Sequence, residues 1–424
     1  MSYWKFIRHH RRILAFGFIH GFCSAPGQTF CISLFVASFG ATLGASPAEL
    51  GLAYFVATLA AAIALSQIGA RIDRVGLRIY SLSTATLLAL ACLWTAAAEN
   101  LLMLGIGLFA LRLSGQGLLV HIETTTIVRA FTKDRGRALG LTAMGHSLAQ
   151  AIFPTLAVVL IAAIGWRSSY ASIGLGVFAV LVASAIWLVP PISPNDGQTL
   201  SGAGTEPSGQ VSRGASRILI TSGYFWAAVP MLVVVSFVST ALLFQLTVIA
   251  ADRGWSPAWV AAGFLVLAIS QVAALFGSGR IIDKYSARWV AVFHAIPITL
   301  AVVVLAAFKQ PQAFVFAMAG IGLSNGAART AFSAVWAEIY GTRHLGAIRS
   351  VVMSLMVIAS AVAPLLLGLM LSAASNVSNA LLVLAGVTVA LQVPLCGTEL
   401  MHLLKRNLAR SASDAPKEPP DSVR

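Results

Sequence analysis

Apolar residues along this chain gather into blocks near or above the roughly 20 residues that carry a helix across a bilayer, with Gly, Pro and short charged loops between them. The pattern predicts six helical spans in the first half, at about 13–39, 49–68, 79–98, 101–123, 138–164 and 169–190, to within a few residues at each end. Six more follow at about 218–250, 257–279, 288–307, 312–336, 346–373 and 378–402, several of them long enough to tilt or to include turns outside the bilayer. Between the halves, Pro191, Pro194, Gly197, Gly202, Gly204, Pro207 and Gly209 disfavour regular structure. The expected organisation is a six-helix bundle over 1–190, a flexible linker over 191–217, a second bundle over 218–404, and a disordered tail over 405–424 containing Pro416, Pro419 and Pro420. The fold class is all-α integral membrane, with twelve transmembrane helices in two pseudo-symmetric halves.

The halves are copies of each other. Gly69-Ala-Arg-Ile-Asp73-Arg74-Val-Gly76-Leu-Arg78 recurs as Gly279-Arg-Ile-Ile-Asp283-Lys284-Tyr-Ser-Ala-Arg288, an offset of 210 residues. The same offset relates Ser46-Pro47 to Ser256-Pro257, Leu113-Ser114 to Leu323-Ser324, Gly136 to Gly346 and Pro154 to Pro364. Self-similarity at a fixed period reveals architecture before any single residue does. An even number of spans per copy inserts both halves the same way up, about an axis along the membrane normal, and such parallel repeats hold their substrate near the midplane between the halves.

Composition agrees. Hydrophobic residues make up 58% of the 424 and charged ones 10%, against about 25% charged in soluble domains. Of the 28 Lys and Arg, all but Arg167, Arg253, Lys309 and the in-span Arg112 and Arg329 fall at one end of the spans. Cationic loops stay cytoplasmic, so both termini and the linker are expected there, and the net charge of +14 needs no nucleic-acid partner. The first apolar run is about 27 residues, too long for a cleaved leader, and reads as an uncleaved span. Cys23, Cys31, Cys92 and Cys396 lie within spans without paired spacing and read as small hydrophobes. No metal cluster, nucleophile motif or phosphate loop is present, so no enzyme, metal or cofactor is expected; Asn376-Val-Ser378 matches a glycosylation acceptor by pattern only. Linker and tail are too short to hold a signalling domain.

Ionisable residues inside spans are costly and are functional candidates by default. Arg112 lies about eleven residues into span four, near the midplane. At about 100° per residue, Gln116 and Glu123 project within about 40° of it, giving that helix one polar face, although Arg112 and Glu123 stand about 16 Å apart. Arg329 aligns by the duplication with Leu119, about 20° from Arg112 and roughly 10 Å nearer the cytoplasm. His20, Ser24, Gln28 and Thr29 on span one, and His146 and Gln150 on span five, are further polar candidates, with histidine able to titrate near neutral pH. The expected cavity set is Arg112, Gln116, Glu123, His20, Gln28, His146 and Arg329.

The repeated loop resembles the signature between spans two and three, and again between spans eight and nine, of the major facilitator superfamily. That resemblance implies a gating role for Gly69, Asp73, Arg74, Gly76, Arg78, Gly279, Asp283, Lys284 and Arg288, in which acid and base hold one end of the bundle closed in one state. Arg71 stands where the family has an apolar residue, and Ser286 replaces the second copy's later glycine. Arg112-Leu-Ser-Gly115-Gln116-Gly117 partly resembles a second signature, which implies a cavity arginine linked to proton coupling. On span five the glycine-rich signature of drug-exporting antiporters is degraded: Gly140 and Pro154 match, whereas Ala149, Phe153, Ala157 and Val158 replace glycines. Gly165-Trp166-Arg167 resembles a turn of several organic-anion and sugar-phosphate branches. The reading is a secondary transporter of a small solute, an organic anion coupled to protons, as a monomer in the bilayer of a bacterial inner membrane; the alternative is efflux of a drug or toxicant by proton antiport.

Overall fold

The structure is a computed structural model that describes residues 3–131, 134–189, 221–340, 345–374 and 376–413; within these, side chains are not described for 3, 70, 73, 135, 283, 333, 345–347, 350, 395 and 399–413. The linker 191–217 and the last eleven residues of the tail lie outside the described residues.

Everything described is helical or turn. After a short helix Tyr3–His9, α1 runs Arg11–Gly27 and Thr29–Leu43 with a 42° bend between the two. Then come α2 (Pro47–Ile68), α3 (Leu77–Ala96) and α4 (Leu101–Ala130). One run, Arg135–Trp187, holds α5 and α6, and only Gly165, at φ 75° and ψ 163°, departs from helical geometry within it. The loop of several residues expected between spans five and six is thus a single glycine, because Gly alone enters that region without penalty. The second half gives α7 (Gly223–Phe244, continued as Leu246–Arg253), α8 (Pro257–Lys284), α9 (Ala287–Phe293 and Ile296–Ala307), α10 (Pro311–Tyr340), α11 (Leu345–Ala373) and α12 (Val377–Ser413).

Nine described helices are long and apolar enough to cross a membrane, ten with the bent pair. Taking the long run as two spans about Gly165 makes eleven; the twelfth expected, α10, is long enough but falls short in hydropathy, diluted by Ser324, Asn325 and Arg329. Leu102, Ile269, Ile63 and Val56 are each more than half exposed on the outer surface, as lipid-facing residues should be. The tail is corrected in part: α12 continues through Ser413, because 405–413 contains neither Pro nor Gly and the first tail proline is Pro416.

The duplication is legible in the backbone. Gly44 (φ 65°, ψ 24°) and Gly254 (φ 67°, ψ 25°) end α1 and α7 in the same left-handed conformation. The next N–H returns to the same place in each copy, Ala45 to Gly40 O and Trp255 to Ala250 O. Ser46 and Ser256 then cap α2 and α8 through the N–H three residues on, Glu49 or Trp259, with proline at the first helical position. A Cβ at Gly44 or Gly254 would meet nothing within 4 Å, so Gly44→Ala and Gly254→Ala carry only the left-handed backbone penalty. Each should lower stability by about 1 kcal/mol, read as a fall in detergent-solubilised Tm.

The halves meet at the end opposite the termini, here the far end. Thr247 accepts from Ala37 N and donates to Ser33 O, and Ala37 and Thr247 are 210 residues apart, so equivalent positions touch each other at the pseudo-twofold axis. Gln245, at the break in α7, donates to Pro47 O of α2 and to Pro364 O of α11. Gly51 of α2 lies on Pro364 and Leu365, and Gly368 of α11 on Pro47 and Ala48, so two backbones close against each other. At the termini end, Val120–Ala130 of α4 is packed on α1 and α5. The far end is thus where the described contacts close the two halves on each other.

Tryptophans and arginines hold the far end. Trp94, Trp166, Trp255 and Trp259 donate to Met103 O, the Thr42 hydroxyl, Lys309 O and Pro311 O, a belt suited to the membrane–water boundary. Arg167 donates to Ala98 O beyond the end of α3, and Arg253 to Leu305 O and Phe308 O at the end of α9, each a cation placed where a helix dipole is negative. The Gly165-Trp166-Arg167 turn is therefore a staple between helix ends, away from the midplane.

Candidate functional site

Span four is not a uniform α-helix. Residues Arg112–Leu119 form a π-helical segment of 8 residues, a local widening often found at functional sites. The segment begins where α4 crosses the bend in α1 backbone to backbone: a Cβ on Gly115 would stand 2.7 Å from Gly27 Cα, and one on Gly27 only 2.1 Å from Leu111 O. A helix closing i→i+5 advances roughly 85° per residue instead of about 100°, so over this segment the polar face falls behind by roughly 100°. Arg112 and Glu123, expected on one face, consequently point to different neighbours.

Arg112 is 3% exposed. Its Nη1 donates to Gly27 O (3.4 Å) and the Thr29 hydroxyl (3.3 Å), and its guanidinium lies 4.9 Å above the ring of Tyr54, whose hydroxyl is 2.6 Å from that of Thr29. Arg112 is thus enclosed by α1 and α2 in this state. Glu123, 5% exposed, lies against Gly21 of α1 beside Thr142 of α5, whose hydroxyl donates to Leu139 O, and is attracted to Arg329 of α10. Arg329 of α10 has an exposed side chain and stands within electrostatic reach of Glu123 and His146 of the other half. His146 of α5 is half-buried, feels the charge of Arg329 and meets the edge of Phe30. Glu123 and His146 of the first half are thus both within electrostatic reach of Arg329 of the second.

The remaining candidates divide. His20 is buried with both ring nitrogens satisfied: Phe16 O can only accept, so Nδ1 carries the proton (2.8 Å) and Nε2 accepts from Ser81 of α3 (2.8 Å). It serves as packing between α1 and α3. Gln28 bonds Ser24 one turn earlier (3.1 Å). Gln116 is half-buried beside the π segment. Gln150 is buried with an unpartnered Oε1. Sequence reasoning missed Tyr54, Thr142 and Gln245; an aromatic, a threonine and a glutamine within apolar spans carry no periodic signal.

The two loop signatures fold differently. In the first, Gly69–Asp73 is a 3-10 turn whose Gly69 O meets His121 Nε2 of α4 (3.2 Å), and Gly76 precedes α3. Arg78 donates to Ala185 O and Ile186 O, so it caps the C-terminal end of α6, while Arg74 is exposed. In the second, α8 stays helical through Gly279 to Lys284, which lies over its neighbour Tyr285. Ser286, in place of glycine, caps α9 through Arg288 N, and Glu338 of α10 accepts from Ser286 Oγ and Ala287 N with Arg288 at 4.0 Å. The side chains of Asp73 and Asp283 lie outside the described ones.

Comparison with solved structures finds the same fold. A bacterial homologue of the human lysosomal transporter Spinster, inward-facing and unoccupied, superposes with a TM-score of 0.67 at 16% identity, covering 91% of this chain and 94% of that one. The nucleoside transporter NupG does so with a TM-score of 0.73 at 13% identity, covering 92% and 98%. A comparison with curated proteins gives no match. The profile of the Major Facilitator Superfamily matches residues 17–364, which takes in the duplicated turns, the bent first span and the convergent polar cluster, and the chain belongs to that superfamily: it is a membrane transporter and not an enzyme.

Proposed function

We propose that this transporter carries a small organic anion coupled to protons, from a bacterial inner membrane, as a monomer with both termini and the 191–217 linker in the cytoplasm. The observation that supports this reading is Arg329, an exposed cation of the second half within electrostatic reach of one carboxylate, Glu123, and one imidazole, His146, of the first. A cation attracts anions, and low-dielectric walls concentrate its field. A carboxylate at the same site competes with the anion for the arginine, so protonating Glu123 frees Arg329 for substrate; binding of the two is thereby linked. With the basic end cytoplasmic, the closed far end faces outward.

The test is a thermal-shift panel on the purified protein with small carboxylates, sugar phosphates and cationic drugs, run on the parent and on Arg329→Gln. Carboxylates or phosphates should raise the parent Tm and leave the Arg329→Gln Tm unmoved. Stabilisation by cationic drugs alone, or an anion shift that survives Arg329→Gln, overturns the reading.

A further inference from the structure

We infer that Arg112 forms a second oxyanion subsite, closed in this state and opened when the far end parts, so that the substrate path has one arginine for each end of the bundle. The inference rests on the anion reading above and extends it to a separate place. An enclosed guanidinium normally has a carboxylate partner, because an unpaired charge away from water is costly. Arg112 has none among the described residues. Its contacts are a carbonyl, a hydroxyl and an aromatic face, and its Nε is buried without a partner. A planar fork with spare donors is suited to a carboxylate or another small oxyanion.

The lid over this arginine belongs to the seal between the halves. The ring of Tyr54 that covers Arg112 packs at 4.5 Å on Phe244 of α7, in the opposite half. Phe244 directly precedes Gln245, which ties α7 to Pro47 at the start of α2, seven residues before Tyr54 on the same helix. Separation of the halves at the far end therefore removes Phe244 from Tyr54 and relieves the confinement of Arg112. Thr29, whose hydroxyl touches both Tyr54 and Arg112, is already half-buried only. Arg112 lies beneath this seal and Arg329 does not contact it, so an anion held by Arg329 can pass to Arg112 once the seal opens.

Thr29→Cys in a Cys396→Ser background reports the site, since Cys23, Cys31 and Cys92 are buried. Anionic and cationic impermeant methanethiosulfonates are applied to intact membranes from the face opposite the termini, and their rate ratio is compared with that on glutathione and with that in Arg112→Gln. The anionic reagent should be favoured by about tenfold over the glutathione ratio, and Arg112→Gln should abolish the preference. A ratio equal to that of glutathione, a preference that survives Arg112→Gln, or a thiol unreactive from that face overturns the inference. The glutathione baseline keeps the test decisive where Arg112→Gln fails to assemble. Because the readout is reaction at Thr29→Cys and not substrate binding, it is independent of the Arg329→Gln thermal shift.

Discussion

Gly51→Val is expected to hold the bundle open at the far end. A Cβ on Gly51 would stand 2.6 Å from Pro364 O and 2.8 Å from Leu365 Cα, and both are backbone atoms that cannot rotate aside. The contact exists only while α2 and α11 are pressed together, so the valine destabilises the sealed state and leaves the opened one untouched. Overpacking costs about 1–3 kcal/mol, and every 1.4 kcal/mol is about tenfold in an equilibrium, so the balance should move by roughly 10- to 100-fold. Leu246→Cys, at a position 3% exposed beside the axis, provides the measurement. It should become reactive towards an impermeant thiol reagent on the far face in Gly51→Val and stay protected otherwise. Unchanged reactivity in correctly inserted protein would show that the seal tolerates the branch and that this contact does not set the balance. Gly368→Ala, whose Cβ meets Pro47 O at 2.5 Å, presses on the same interface from the other side and should act in the same direction.

Loss of proton-driven accumulation is the expected result of Glu123→Gln. The amide keeps the size of the carboxyl group against Gly21. It removes the one group among those converging on Arg329 that can exchange a negative charge for a proton. Arg329 is then left without its opposing charge, so anion affinity should rise by roughly tenfold, in keeping with about 1–2 kcal/mol of coupling between linked sites. In proteoliposomes, uptake driven by an imposed pH gradient should vanish while counterflow exchange of the same anion persists. Gradient-driven uptake at the parent level would remove Glu123 from the coupling step. Because counterflow needs the whole cycle of opening and closing, its survival separates lost coupling from misfolding.

The contrast between the two arginines shows how far a sequence reaches in such a chain. Arg112 and Arg329 were both conspicuous as charges in apolar blocks, and both lie inside the bundle. Which neighbours Arg112 and Glu123 meet was decided by a local feature that periodicity assumes away. The close crossing of Gly27 and Gly115 coincides with a π segment that turns the second half of α4 by about a quarter of a circle, separating Arg112 from Glu123. The cluster Glu123, His146 and Arg329 joins residues from three helices and both halves, brought together by packing that no spacing along the chain encodes. The same holds for Glu338, which reaches from α10 to cap α9, and for Arg78, which caps α6 within its own half.

The sequence by itself determined the membrane class, the two six-span halves and the turns that join α1 to α2 and α7 to α8, because these follow from local chemistry repeated at a fixed distance: apolar length, a left-handed glycine, a serine cap and a proline. Tertiary structure alone decided where the halves close on each other, what encloses Arg112, and that the acid comes within electrostatic reach of Arg329 across the halves. Those outcomes depend on small energy differences between alternative packings of the same helices, and backbone crossings such as Gly51 on Pro364 and Gly27 on Gly115 are fixed by shape across the bundle and not by any pattern along the chain.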